Sequence, residues 1–138
     1  MMPNYLSTLP QFLGLYLVGG LLLTAFWSLY TFITPHRELA LIRAGNLSAA
    51  LMLAGAMLGY AMPVAVAPAR SNDVYQLAQW GAVAMVVQLL TYAAQRLLQR
   101  DLHEAICQDR LSVALWAATL SISMGLLNAG AQFVEPHP

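Results

Sequence analysis

Four long stretches without acidic or basic side chains constrain the fold of this chain more than any other feature. Residues 1–35, 44–69, 74–95 and 111–134 contain no Asp, Glu, Lys or Arg. A helix needs roughly 20 apolar residues to cross a bilayer, whereas a core helix of a soluble protein would show apolar runs of roughly 10–14. Only 9% of all residues are charged, against about 25% in a soluble domain. We therefore expect an all-α membrane protein with four transmembrane helices in one domain, residues 1–138.

Prolines set most of the expected helix ends. Proline lacks the backbone donor and disfavours the helical conformation in the residue before it, so Pro10, Pro35 and Pro68 are expected outside the helices. A cleaved signal peptide carries positive charge before its apolar run, but here the first basic residue, Arg37, follows that run. The first helix is therefore expected to remain in the protein. We predict helices over residues 11–33, 47–66, 77–98 and 111–131.

The distribution of arginine predicts the orientation in the membrane. Cytoplasmic loops are enriched in Lys and Arg. The loops after the first and third helices, with their flanks, hold five of the six basic residues, and only Arg70 lies on the other side. Both termini are therefore expected in the periplasm of a bacterial inner membrane. The five are Arg37, Arg43, Arg96, Arg100 and Arg110.

An internal repeat is visible at an offset of 64 residues. It pairs Ile42 with Ile106 and Leu47 with Leu111, and it divides the chain into halves of about 11–66 and 77–131. Each half reads as helix, charged loop, helix. Because both halves keep the same orientation, the sequence predicts two helix hairpins in a parallel repeat, related by an axis along the membrane normal. The second half departs from the first, with Thr119 in place of Gly55, Ser123 in place of Gly59 and Arg110 in place of Asn46.

Small residues in the second helix mark a candidate packing surface. Gly55 and Gly59 are four residues apart, and Ser48 lies nearby. Small residues at that spacing let two helix backbones approach closely. The sequence leaves open whether the partner helix belongs to the same chain or to a second subunit.

Polar residues inside the third and fourth helices permit two interpretations. Gln88, Thr91, Ser121 and Ser123 lie at similar depth, and tyrosine is the only ionisable residue type within the four uncharged stretches. Such groups commonly form hydrogen bonds between membrane helices, which is the interpretation that we favour. The alternative is a polar lining for a pore, which four helices would form more readily as an oligomer.

The two charged loops form a candidate docking surface for a cytoplasmic protein. Asn46 is well suited to cap the second helix, and Glu38 is expected to be solvated among arginines. No phosphate-binding loop, nucleophile motif or metal-ligand spacing is present, and no basic run suggests nucleic-acid binding. We therefore expect neither an enzyme nor a cofactor, and we read Cys107 as a small apolar residue. The docking candidates are His36, Glu38, Arg43, Asn46, Arg100 and Glu104.

The chain also resembles a known family across nearly its whole length. The matching residues are Ile33-Thr34-Pro35-His36, Glu38, Leu41-Ile42, Asn46, Ala49-Ala50-Leu51, Gly55, Leu58-Gly59-Tyr60, Pro63, Trp80-Gly81, Val87-Gln88-Leu89-Leu90 and Asn128-Ala129. These are similar to the YjfL family of bacterial inner-membrane proteins, the domain of unknown function numbered three hundred and fifty. The resemblance implies a small polytopic membrane protein whose domain often occurs as a tandem pair and whose relatives are associated with membrane-stress proteins. It brings no catalytic residue.

Two hypotheses about function follow. The first is a homo-oligomeric scaffold or sensor in envelope stress, embedded in the lipid bilayer and recruiting a cytoplasmic stress-response protein through its charged loops. The second is a small oligomeric channel or facilitator with the polar lining described above.

Overall fold

The structure is a computed structural model that describes residues 5–34, 37–70 and 73–133. All regular elements in those segments are helices, and four of them are long and apolar enough to cross a membrane, which confirms the predicted fold class. The helices are α1 (Tyr5–Ile33), α2 (Glu38–Arg43), α3 (Leu47–Arg70), α4 (Val74–Leu98), α5 (Leu102–Cys107) and α6 (Leu111–Ala131).

The prolines do not end the helices where the sequence analysis placed the ends. Helix α1 begins at Tyr5 and contains Pro10, and α3 continues through both Pro63 and Pro68. The expected non-helical lead-in before Pro10 is therefore wrong for residues 5–10. Each proline removes only one backbone donor, and neighbouring groups can satisfy the freed carbonyl of a transmembrane helix. The expectation for Pro35 lies outside the described residues.

The short helices α2 and α5 fill the two charged loops, which the sequence analysis treated as irregular. They begin 64 residues apart, and so do α3 and α6. Helix, short helix, helix is thus the order in each half of the chain, at the spacing of the predicted repeat.

The central pair of the bundle is α3 and α4, which pack against each other. Helix α1 packs on one side of this pair, and α6 packs on the other. Phe26 of α1 stacks on Tyr60 of α3 with ring centroids 4.4 Å apart, and the Tyr60 hydroxyl donates to the Gly81 carbonyl of α4 at 3.0 Å. These contacts join three of the four long helices in one core.

Helices α3 and α6 run in the same direction but meet through different faces. Gly55 and Gly59 of α3 face α6, whereas the residues 64 positions later, Thr119 and Ser123, are exposed. Because each residue turns a helix by about 100°, Ser123 lies about 200° around α6 from Ser121, which does face α3. If a two-fold axis along the membrane normal related the two halves, α3 and α6 would meet through equivalent residues. They do not, so the contacts do not support the predicted axis.

Candidate functional site

The loops at the α2–α5 end of the bundle share one backbone motif. Gly45 and Asp109 adopt positive φ angles of 90° and 57°. In each loop two N–H groups close the end of the short helix in the pattern of a Schellman motif. The bonds run from Gly45 to Ile42, Asn46 to Leu41, Asp109 to Ile106 and Arg110 to Ala105, at 2.9–3.0 Å.

Side chains from both loops cap the first turn of α3. The Asn46 side-chain oxygen accepts a hydrogen bond from the Ala49 N–H at 2.9 Å, which confirms the predicted N-cap. The Asn46 amide nitrogen donates to the Ile106 carbonyl of the other loop at 2.7 Å. Asp109 crosses in the opposite direction and accepts the Ser48 N–H at 2.9 Å. Two reciprocal bonds therefore tie the two loops together, and we call these four residues the loop clasp: Asn46, Ser48, Ile106 and Asp109.

Ser48 determines the titration of Asp109. Hydrogen bonding from Ser48, whose backbone N–H donates to the carboxylate, lowers the pKa of Asp109 below the ordinary value of 3.8. The carboxylate is therefore ionised at neutral pH, where it complements the positive end of the α3 dipole. Ser48 is fully buried, and it lies at the junction of the loops rather than beside Gly55 and Gly59 within the span.

Five of the six predicted docking residues divide into three groups. Arg43, Arg100 and Glu104 are exposed, as a docking surface requires. Asn46 is half-buried and both of its polar atoms are engaged in the loop clasp. His36 lies outside the described residues.

Glu38 is a correction to the predicted docking surface. It is only 2% exposed, so the expectation of a solvated carboxylate is wrong. It opens α2 and lies within electrostatic range of Tyr30 and Tyr92, whose rings meet edge to face with centroids 5.5 Å apart. The short helix turns its first residue toward the bundle, which the sequence alone did not indicate.

Other polar groups of the loop layer are at the surface. Arg110 pairs with Asp101 at 3.3 Å, and about half of each side chain is exposed. Such pairs contribute little to stability. Cys107 is exposed and lies 3.9 Å from His103, one turn earlier on α5. In the described segments, no three His, Cys, Asp or Glu side chains converge as a metal site would need.

Two of the four residues predicted as a polar lining, Gln88 and Ser121, form hydrogen bonds between α4 and α6. Gln88 is buried, and its side-chain nitrogen donates to the Ser121 carbonyl at 3.0 Å. The buried Thr91 hydroxyl donates to the Val87 carbonyl of its own helix at 2.8 Å. Ser123 is exposed on the other side of α6, so within the chain it lies apart from this group.

Gln95 extends this contact and was missed by the sequence analysis. It is 1% exposed and donates to the Ala117 carbonyl at 2.8 Å and to the Ser121 hydroxyl at 3.0 Å. It lies seven residues after Gln88 and hence on nearly the same face of α4. That spacing was the available signal.

The glycines of α3 meet α6 of the same chain. A side chain on Gly55 would clash with Ala118, and one on Gly59 would come within 2.3 Å of the Ser121 carbonyl oxygen. Gly125 faces Gly59 in return, and the Gln132 side chain donates to the Pro63 carbonyl at 3.1 Å. The structure thus identifies the partner helix, together with Gly125 and Gln132, which the sequence analysis did not select.

These features define a class of protein: an integral membrane protein of four transmembrane helices whose buried polar groups join helices, with a clasped layer of two short helices at one end. The chain belongs to the family described as Domain of Unknown Function (DUF350), whose match covers residues 4–132.

Two named relatives illustrate this membership. The UPF0719 inner membrane protein YjfL of Escherichia coli (strain K12) is 32% identical over 126 residues, which cover 91% of this chain and 96% of the relative. The UPF0719 transmembrane protein YshE of Bacillus subtilis (strain 168) is 24% identical over 125 residues, which cover 89% of this chain and 93% of the relative. No solved structure matches the chain.

Proposed function

We propose that this protein is a non-enzymatic scaffold of the bacterial inner membrane that serves in the response to envelope stress. In this proposal it self-associates in the bilayer and presents α2 and α5 to a cytoplasmic stress-response protein. The loop clasp carries the proposal. Asn46 donates a hydrogen bond to one loop and Asp109 accepts one from the other, so the two loops are fixed relative to each other. A preorganised surface binds a partner without first losing conformational entropy.

The charges on this frame indicate the partner's chemistry. Arg43 and Arg100 are exposed on the two loops, while the acidic Glu38 is withdrawn into the bundle. Exposed arginines pair well with carboxylates, often through two parallel hydrogen bonds. We therefore propose that the partner offers an acidic segment to the loop layer.

The location follows from arginine and from the relatives. One matched relative is named an inner membrane protein, and five of six arginines flank the loops that hold α2 and α5. By the positive-inside rule, this end of the bundle is proposed to face the cytoplasm and both termini the periplasm.

The observed hydrogen bonds favour the scaffold over the alternative channel. The amide nitrogens of Gln88 and Gln95 donate to α6, and Ser123 lies outside the group. A conducting path needs polar groups that are free to hydrate an ion. These groups instead hold α4 and α6 together.

The test is site-specific photocrosslinking in intact cells. A photoreactive residue at Arg100 should yield an adduct with a cytoplasmic protein, the adduct should increase under envelope stress, and Arg43→Glu should weaken it. The same probe at Gln76, exposed at the opposite end of the bundle, is the matched control. Ion flux in liposomes that Gln88→Leu abolishes, without an adduct at Arg100, would establish the channel instead.

A further inference from the structure

The contact that α3 makes inside the chain gives a template for a second contact. Helix α3 lies between α4 and α6. Ala84 of α4 and Gly125, Ala129 and Gln132 at the end of α6 are all buried. Gly125 and Gln132 touch α3 directly, at Gly59 and Pro63.

A groove lies between α1 and α3, and four of its lining residues correspond in the repeat to these four buried residues. It has a volume of about 510 Å³ and is lined by apolar residues that include Gly20, Ala61, Ala65 and Pro68. Each of these four stands 64 residues before one of the buried residues named above, in the same order: Ala84, Gly125, Ala129 and Gln132. Among the described residues, no helix fills this groove.

The opposite side of the bundle carries the complementary surface. Gly55 and Gly59 are the residues through which α3 contacts α6. Their equivalents on α6 itself are Thr119 and Ser123, and both are exposed. The equivalents of Leu22 and Phe26, by which α1 meets the core, are Val86 and Leu90 of α4, which are 56% and 65% exposed. The exposed faces of α6 and α4 are thus the repeat equivalents of faces that α3 and α1 bury within the chain.

We propose that a second copy of the chain places its α6 in the groove between α1 and α3. The contact repeats, between chains, the way α3 lies between α4 and α6. It deepens the self-association of the proposed function and rests on it. The two surfaces in contact differ, so the assembly is head-to-tail and each added copy offers a new groove. The template pairs Ser123 of one copy with Ala61 of the next, because Gly59 meets Gly125 within the chain.

Cysteine crosslinking in native membranes tests this contact. Cys107 is the only cysteine and is first replaced by Ser. Two differently tagged chains, one with Ser123→Cys and one with Ala61→Cys, are then expressed together and oxidised. The expected product is a mixed dimer at least tenfold above the product of the control pair Met124→Cys and Ala61→Cys. Met124 is also exposed and adjacent in depth, but it lies about 100° around the helix.

Three results would overturn the proposal. A disulfide between two Ser123→Cys chains would mean a symmetric contact through α6. A product equal to that of the Met124 control would mean random collision. No product, with lipid acyl chains retained in the groove of the purified protein, would make lipid the occupant. Photocrosslinking at Arg100 is measured separately, so loss of the cysteine product alone does not bear on the cytoplasmic partner.

Discussion

Asp109 has a left-handed backbone conformation and also makes a hydrogen bond to a residue far away in the sequence. Its φ of 57° lies in the left-handed region, where the equivalent position of the other loop has glycine. Aspartate tolerates that region better than most residues, but less well than glycine. The gain is the carboxylate, which caps α3 through the Ser48 N–H from 61 positions away in the chain. Glycine here would relax the backbone and remove one of the two hydrogen bonds that join the loops.

The titration of Asp109 gives a pH dependence with a definite sign. Its folded pKa is lowered by hydrogen bonding from Ser48, so the unfolded chain binds more protons near pH 3.8 and stability falls as the pH falls. The contribution is fully present above pH 3.8 and is lost as the pH drops through the lower, folded value. Thermal unfolding in detergent should show that the unfolding temperature of the wild type falls more between pH 6 and pH 3 than that of Asp109→Asn. An equal loss in both proteins would exclude Asp109 as the cause.

The two buried glutamines of α4 should differ in their contribution to stability. Gln88 makes one hydrogen bond to α6, whereas Gln95 makes two. Hydrogen bonds between membrane helices contribute about 0.6 kcal/mol on average and up to about 1.7 kcal/mol. Gln88→Leu should therefore cost about 0.6 kcal/mol and Gln95→Leu about twice that, measured by unfolding in mixed micelles. Gln76→Leu, at an exposed site, is the control, and a reversed order would contradict the hydrogen-bond assignment.

At the scale of elements, α3 and α6 form the closest pair of helices because backbone meets backbone. Pro63 has no N–H, so the Gly59 carbonyl lacks its usual donor within the helix. The position where Gly125 would carry a side chain lies 2.0 Å from that oxygen. A Cα hydrogen of Gly125 therefore points at it, as in the weak C–H···O contacts between closely packed helices. The proline of one helix and the glycine of the other thus complement each other.

Gly125→Ala should be far more damaging than its size suggests. The added methyl group would meet backbone atoms of Gly59, which cannot move aside as a side chain would. Overpacking typically costs about 1–3 kcal/mol, and here it must separate two helices. Gly130→Ala on the same helix has no atom within 4 Å and should change stability by at most about 1 kcal/mol in either direction. Comparing their unfolding in mixed micelles tests this, and equal effects would refute the close contact.

The sequence predicted the elements better than the faces they present. It placed α6 at residues 111–131, as observed, because Arg110 marks its start. It selected Gly55 and Gly59 correctly as packing residues but misplaced Ser123. In a membrane the outward face of a helix is as apolar as the inward face, so periodicity carries little information about which side is buried. The partner of a helix follows from side-chain volume at particular positions, which only the assembled bundle shows.

At the scale of the whole molecule, α1 is attached mainly through its end nearer to α2. Phe26 and Tyr30 are buried there, whereas Phe12 and Tyr16 in its first half are exposed. The groove between α1 and α3 follows from this uneven attachment. The prediction that the four spans form one domain did not indicate this opening. Glu38 failed as a docking residue for a related reason, since its burial depends on how the short helix lies on the bundle.

Filling the groove should separate folding from assembly. Gly20 has no atom within 4 Å of an added Cβ, so Gly20→Leu should leave the unfolding temperature of the detergent-solubilised monomer unchanged. It should remove most of the mixed dimer formed by Ser123→Cys and Ala61→Cys chains, because leucine occupies space assigned to α6 of the neighbour. Ala25→Leu, exposed elsewhere on α1, is the matched control. Undiminished dimer from Gly20→Leu chains would contradict the proposed contact.

The loop clasp also has a consequence for the biogenesis of the protein. A ribosome completes α3 before it synthesises Asp109, which lies 61 residues after Ser48. The first hairpin, α1 to α3, is therefore made before the Ser48 N–H has its acceptor. Gly55 likewise lacks its contact with Ala118 until α6 has inserted. The first hairpin is therefore a maturation intermediate with an incomplete cap and an open glycine face. We expect a chain truncated before residue 109 to lack both the partner of the Ser48 N–H and the α6 contacts of α3.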